Sequence, residues 1–123
     1  MSIRYPRQDI PLQLCVRVVK QTSGAFEHVV IFDAELYLFD NTSEIELIFI
    51  PSASRLYGVE PRDEQIAVDF IKKGIQDVLA GSKLGALVQI SGLRIHPVDF
   101  IPEKFREYTA SHLVAAIEAR LYA

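Results

Sequence analysis

From Leu12 to Phe49 the apolar residues recur at every second position, and this period of two constrains the fold more than any other feature of the chain. Leu12, Leu14, Val16 and Val18 share one side of the first run, and Gln13, Cys15, Arg17 and Val19 take the other. Successive side chains of a strand point to opposite faces, so the run reads as a strand with one buried and one solvated face. After a small-residue turn at Ser23-Gly24 the pattern resumes, with Phe32, Ala34, Leu36 and Leu38 opposed to Asp33, Glu35 and Tyr37. Asp40-Asn41-Thr42-Ser43 is turn chemistry. A third run then sets Ile45, Leu47 and Phe49 against Glu44, Glu46 and Ile48. Three strands with short connections predict an antiparallel meander that is wet on one face.

Pro51-Ser52-Ala53-Ser54 ends this part, a loop passes through Tyr57-Gly58, and the period changes at Pro61-Arg62-Asp63-Glu64. Proline and acidic residues suit the first turn of a helix. Ile66, Ala67, Phe70, Ile71, Ile75, Val78 and Leu79 then fall on one helical face, with Gly81 as the stop. Gly74 lies inside this helix on its apolar side, where glycine costs about 1 kcal/mol against alanine. Close approach of another backbone is the expected compensation. Leu87–Ile95 reads as a fourth strand whose alternation slips at Ser91-Gly92, which predicts a bulge. Beyond His96-Pro97-Val98-Asp99, a last helix opens at Pro102-Glu103 with Phe105, Thr109, His112, Leu113, Ala116 and Ile117 as its inner stripe. The order βββαβα predicts one α+β domain over residues 1–123, with residues 1–10 as an extended lead-in. It would be a two-layer sandwich with both helices on one face of a four-stranded sheet.

A chain of 123 residues, half of them hydrophobic, can bury a core as one domain. The net charge of -3 and scattered Lys and Arg give no basic stripe for non-specific RNA binding. Cys15 is the sole cysteine, which excludes an intrachain disulfide and a cysteine metal cluster. Its mid-strand position predicts a buried, inert thiol. The N-terminus lacks the apolar core of a signal peptide and no apolar run reaches membrane-spanning length, so a cytoplasmic setting is expected.

Gly81-Ser82-Lys83 does not fit a phosphate-binding loop, and no Gly-x-Gly-x-x-Gly occurs, so no nucleotide or other cofactor is expected. His28, His96 and His112 lie at no metal-ligand spacing from one another. His112 reads as a hydrogen-bonded core histidine. His96 and Asp99 can pair, but without a nucleophile or oxyanion stabiliser they read as a surface turn, and no enzyme is expected. Asp33, Glu35, Glu44 and Glu46 read as a solvated sheet face. Tyr37, Phe39, Ile48 and Ile50 fall on that same side, where they point to a protein-protein or homodimer contact. Stacking of single-stranded RNA on these rings is the alternative, which the interleaved carboxylates oppose.

Four stretches, in order, carry a resemblance to domain IV of the ribosomal translocase elongation factor G and of related ribosomal protection proteins. Lys20-Gln21-Thr22-Ser23-Gly24 is similar to the family's Lys-Gln-Thr-Gly-Gly, and His28-Val29-Val30 to its His-Val-Val. Val59-Glu60-Pro61-Arg62 and Lys73-Gly74-Ile75 resemble Val-Pro-Arg and Lys-Gly-Ile around the family's first long helix. His96-Pro97-Val98-Asp99, with Glu103 and Phe105, resembles Tyr-His-Asp-Val-Asp-Ser-Ser-Glu-Met-Ala-Phe. The likeness runs from about Leu12 to Ala119. It implies the ribosomal protein S5 domain 2 type of βββαβα sandwich, with a left-handed βαβ crossover where the general rule expects a right-handed one.

By the same resemblance, two tip loops would meet the ribosome. Ser23, Gly24, Ala25 and Phe26, with His28, form one, and His96, Val98 and Asp99 the other. Lys20, Arg94, Lys104 and Arg106 are the candidate basic contacts beside them. Both loops are shorter than the family's, Pro97 replaces an acid, Phe100-Ile101 replace a serine pair, and no GTPase domain accompanies the sequence. The resemblance implies a stand-alone, non-enzymatic domain that binds the ribosome or structured RNA. The alternative is a protein-interaction or homodimerisation module that kept the scaffold and lost the RNA role.

Overall fold

A computed structural model describes residues 11–22, 25–40, 43–51, 58–97 and 99–121, with backbone alone at 21, 22, 25–27 and 121. Its elements are β1 (Leu12–Thr22), β2 (Ala25–Phe39), β3 (Ile45–Phe49), α1 (Pro61–Leu79), β4 (Gly85–Arg94) and α2 (Pro102–Leu121). The expected lead-in at 1–10, the tip turn at Ser23-Gly24, the turn residues Asn41-Thr42, the loop from Ser52 to Tyr57, and Val98 lie outside the described residues.

The element order is the expected one, but the meander is not formed. The sheet runs β1-β2-β4-β3, so β4 takes the place beside β2 that the short β2–β3 connection had suggested for β3. Among the described residues β3 pairs with β4 alone, in parallel, from Ile45↔Ala86 to Phe49↔Ile90. Hydropathy supplies the physical reason. Ala86, Val88 and Ile90 are buried and fit a central strand, whereas β3 is short and only half-buried even on its inner side. Parallel neighbours need a crossover, and α1 provides it.

Alternation places one face of the sheet under the helices. Leu12, Leu14 and Val16 of β1 join Val30, Phe32, Ala34, Leu36 and Leu38 of β2 in a single core. Ala67, Ile71 and Ile75 of α1 and Phe105 and Leu113 of α2 complete it from above. Each large side chain fully withdrawn from water contributes roughly 1.5–3 kcal/mol. Phe105 stacks near Phe32, with ring centroids 6.2 Å apart, and meets Phe100 edge-on at 5.8 Å. Among the described residues no helix is long and apolar enough to cross a membrane.

The expected turns and contacts around α1 are present. Pro61 occupies its first turn, the Asp63 carboxylate accepts the Glu60 backbone N–H at 3.0 Å, and Gly81 ends the helix at φ +78°. Gly74 is where the helices touch: a Cβ there would lie 2.5 Å from the Arg106 carbonyl oxygen and 2.9 Å from Thr109 Cβ. The glycine therefore permits the close approach that its sequence position implied.

The slip in β4 is a bulge. Ile31 faces Arg94 and Asp33 faces Ser91, so Gly92 and Leu93 together oppose Phe32. Gly92 takes φ +62°, and a Cβ there would sit 2.8 Å from Asp33 Oδ2. Arg17 secures the place from the neighbouring strand. Its guanidinium donates to both Asp33 oxygens at 2.9 and 3.1 Å and to the Phe32 carbonyl at 3.0 Å.

Candidate functional site

The register places the described residues that flank both expected tip loops at one end of the sheet. Arg94, the last residue of β4, is level with Ile31, while β2 begins further out at Ala25, paired with Thr22. The β1–β2 hairpin thus projects past the end of β4, and the 95–101 segment leaves β4 beside the hairpin's base. Ser23, Gly24 and Val98 are outside the described residues, and Ala25 and Phe26 are placed by backbone pairing alone. The approach to α1 joins this end, since a Cβ on Gly58 would lie 3.6 Å from Pro97 Cβ.

His96 Nδ1 lies 3.1 Å from Asp99 Oδ2, and the Asp99 N–H donates to the His96 carbonyl at 3.2 Å. The expected pair is a tight turn across the second loop. His28 corrects the sequence reading. Rather than lining the tip, it is 3 % exposed beneath α2, with Nε2 3.1 Å from the Tyr108 hydroxyl. Its parity with Val30 and Phe32 was the available signal, because all three share the inner side of β2. His112 is partly buried and its Nδ1–H donates to the Tyr108 carbonyl at 2.8 Å, as a bonded core histidine should.

The candidate cations do not gather into one patch. Lys20 pairs across the hairpin with His28 on the helix side, whereas Arg94 sits between buried Leu93 and Ile95 and points to the opposite face. Arg106 is at the seam between the helices, donating to both oxygens of Asp77 at 2.6 and 2.8 Å. That hydrogen bond, with the guanidinium charge, holds the Asp77 carboxyl below its usual range and raises the Arg106 pKa. Lys104 lies 3.1 Å from Glu107 one turn along α2.

The open face is more coherent. Tyr37, Leu87 and Glu46 form one row across β2, β4 and β3; Glu35, Gln89 and Ile48 form the next. Ile50 follows beyond Ile48, its N–H donating to Ile90. Ile48, Ile50 and Phe39 are 51 %, 43 % and 39 % exposed. The four residues singled out from sequence therefore share one face, bridged by Leu87, which sequence reasoning had not singled out. Val19 extends exposed apolar surface toward the hairpin on the same side. Cys15 is also exposed there, correcting the expected buried thiol, because odd-numbered positions of β1 face outward. A hollow of about 250 Å³ opens beside Phe39, lined by Glu44, Glu46, Ala86 and Leu87. Gly85, opposite Phe39, contributes no side chain to fill it. Among the described residues, no group of three or more His, Cys, Asp or Glu is placed to hold a metal.

In comparisons with known proteins, no family model matches the chain and no curated protein matches it in sequence. Among the described residues, the chain is an α+β protein with two helices and a four-stranded mixed sheet.

Proposed function

We propose that this chain is a non-enzymatic relative of elongation factor G domain IV whose hairpin end engages the ribosome or another structured RNA in the cytoplasm. The observation that carries the reading is the convergence of the two loop-bearing segments, with the hairpin reaching past β4 and the 96–99 turn at its base. We assign the fold to the ribosomal protein S5 domain 2 type, supported by the element order and the parallel β3-α1-β4 crossover. A crystal structure with a right-handed crossover would remove that assignment. Recognition on this reading is by shape and loop contact, since Lys104 and Arg106 are matched by local carboxylates. The test is co-sedimentation with ribosomes at moderate salt. Binding that Arg94→Glu or His96→Ala weakens is the expected result, and absence from the ribosomal fraction even at low salt would sink it.

One observation favours a second reading, in which the scaffold serves protein interaction. Phe39, Ile48 and Ile50 expose apolar surface on a single face without any packing role in the core. Light scattering and binding assays with Tyr37→Ser and Ile48→Ser separate the two readings, because neither substitution touches the hairpin end.

A further inference from the structure

We propose that the open face around the Phe39 hollow docks a basic, aliphatic-flanked segment of a partner protein, with an arginine or lysine side chain seated in the hollow. This deepens the protein-interaction reading and rests on it. Side-chain chemistry selects the occupant. The hollow is lined by Phe39, Glu44, Glu46, Ala86 and Leu87, so an aromatic ring and acidic residues share its wall with apolar ones. A guanidinium or ammonium there meets a ring quadrupole and negative charge together, and its aliphatic stem covers apolar surface. Around it, Tyr37, Leu87, Ile48 and Ile50 offer contact to aliphatic neighbours.

Among the described residues, the charged side chains at the outward positions from Glu35 to Phe39, from Gly85 to Gln89 and from Glu44 to Ile50 are three glutamates. Arg17, the next cation along the face, is engaged by Asp33. A second copy laid face to face would set glutamate against glutamate, and a nucleic acid would bring phosphate to the same carboxylates; like charges across an interface oppose association. A cationic partner gains from both features. Arginine anchors beside aromatic rings are also where interface energy concentrates.

The experiment selects displayed random peptides on the intact chain, with counter-selection on the Phe39→Ser/Glu46→Lys double variant. Enriched sequences are then synthesised and titrated by fluorescence anisotropy. Lys or Arg adjacent to aliphatic residues is expected, with affinity falling roughly ten-fold for Glu46→Lys or Phe39→Ser and unchanged for Arg94→Glu. Thermal melts of these surface variants check that the fold is retained. Enriched peptides without a cation, or binding indifferent to Glu46→Lys, would overturn the proposal and leave the interaction reading standing. A dimer abolished by Ile48→Ser would overturn it too, giving the face to a second copy. No enrichment on a monomeric protein would remove both.

Discussion

The helix-covered and open faces of the sheet are built by the same strands, one residue apart, yet they obey different rules. On the covered face, Val16, Val30, Phe32, Val88 and Ile90 are withdrawn from water and interlock with α1 and α2. On the open face, Phe39, Ile48 and Ile50 are exposed, with glutamates between them. Folding requires the first set, since without it the helices have nothing to cover. It does not require the second. Polar residues would satisfy that half of the alternation equally well, and the proposed protein contact gives the apolar groups there a role that folding does not.

Mutations can break or sharpen this contrast. Phe32→Ala should cost most, about 3–5 kcal/mol by urea titration, because it removes a ring packed near Phe105 and leaves a cavity. A loss under 1 kcal/mol would mean that the covered face is loosely packed. Gly74→Ala should follow at about 1–3 kcal/mol, since the new methyl collides with the Arg106 carbonyl and the helices must separate. Ile48→Ser and Phe39→Ser should change stability by no more than about 0.5 kcal/mol while altering association. If either destabilised as Phe32→Ala does, the two faces would not differ in kind.

Asp77→Asn should have the smallest effect. The hydrogen bond from Arg106 holds the folded Asp77 carboxyl below its unfolded value, so its contribution is present above the ordinary carboxylate range. It is lost as pH falls through the lowered folded value. The substitution should therefore flatten the acid limb of the stability profile slightly, and less so in high salt, because both partners are largely exposed.

Much of this contrast was legible from alternation alone, including the side taken by residues 12–19, 32–38 and 44–49. The bulge showed as a phase slip, and Gly74 as a glycine on an apolar helical stripe. Strand neighbours were not legible. Parity says which way a side chain points but not which strand lies alongside, so β4 could enter between β2 and β3 without disturbing the pattern. His28 and Cys15 were misplaced for the opposite reason, because position near a hairpin or beside leucines was weighed above parity. Lys20 and Arg94 looked adjacent along the tip, and only the register, with the bulge counted, sends them to opposite sides.

The extra residue in β4 works like an inserted letter in a two-letter code. Before it, even-numbered residues turn inward; after it, Leu93 and Ile95 do. Were β4 to run straight through Gly92 without the bulge, Arg94 would turn into the interior and both aliphatics would be expelled, whereas deleting Gly92 would leave all three on their present sides. A straightened strand would also deliver His96 to the other side of the sheet. The direction in which the chain leaves β4 is thus tied to the two-for-one step at Gly92 and Leu93.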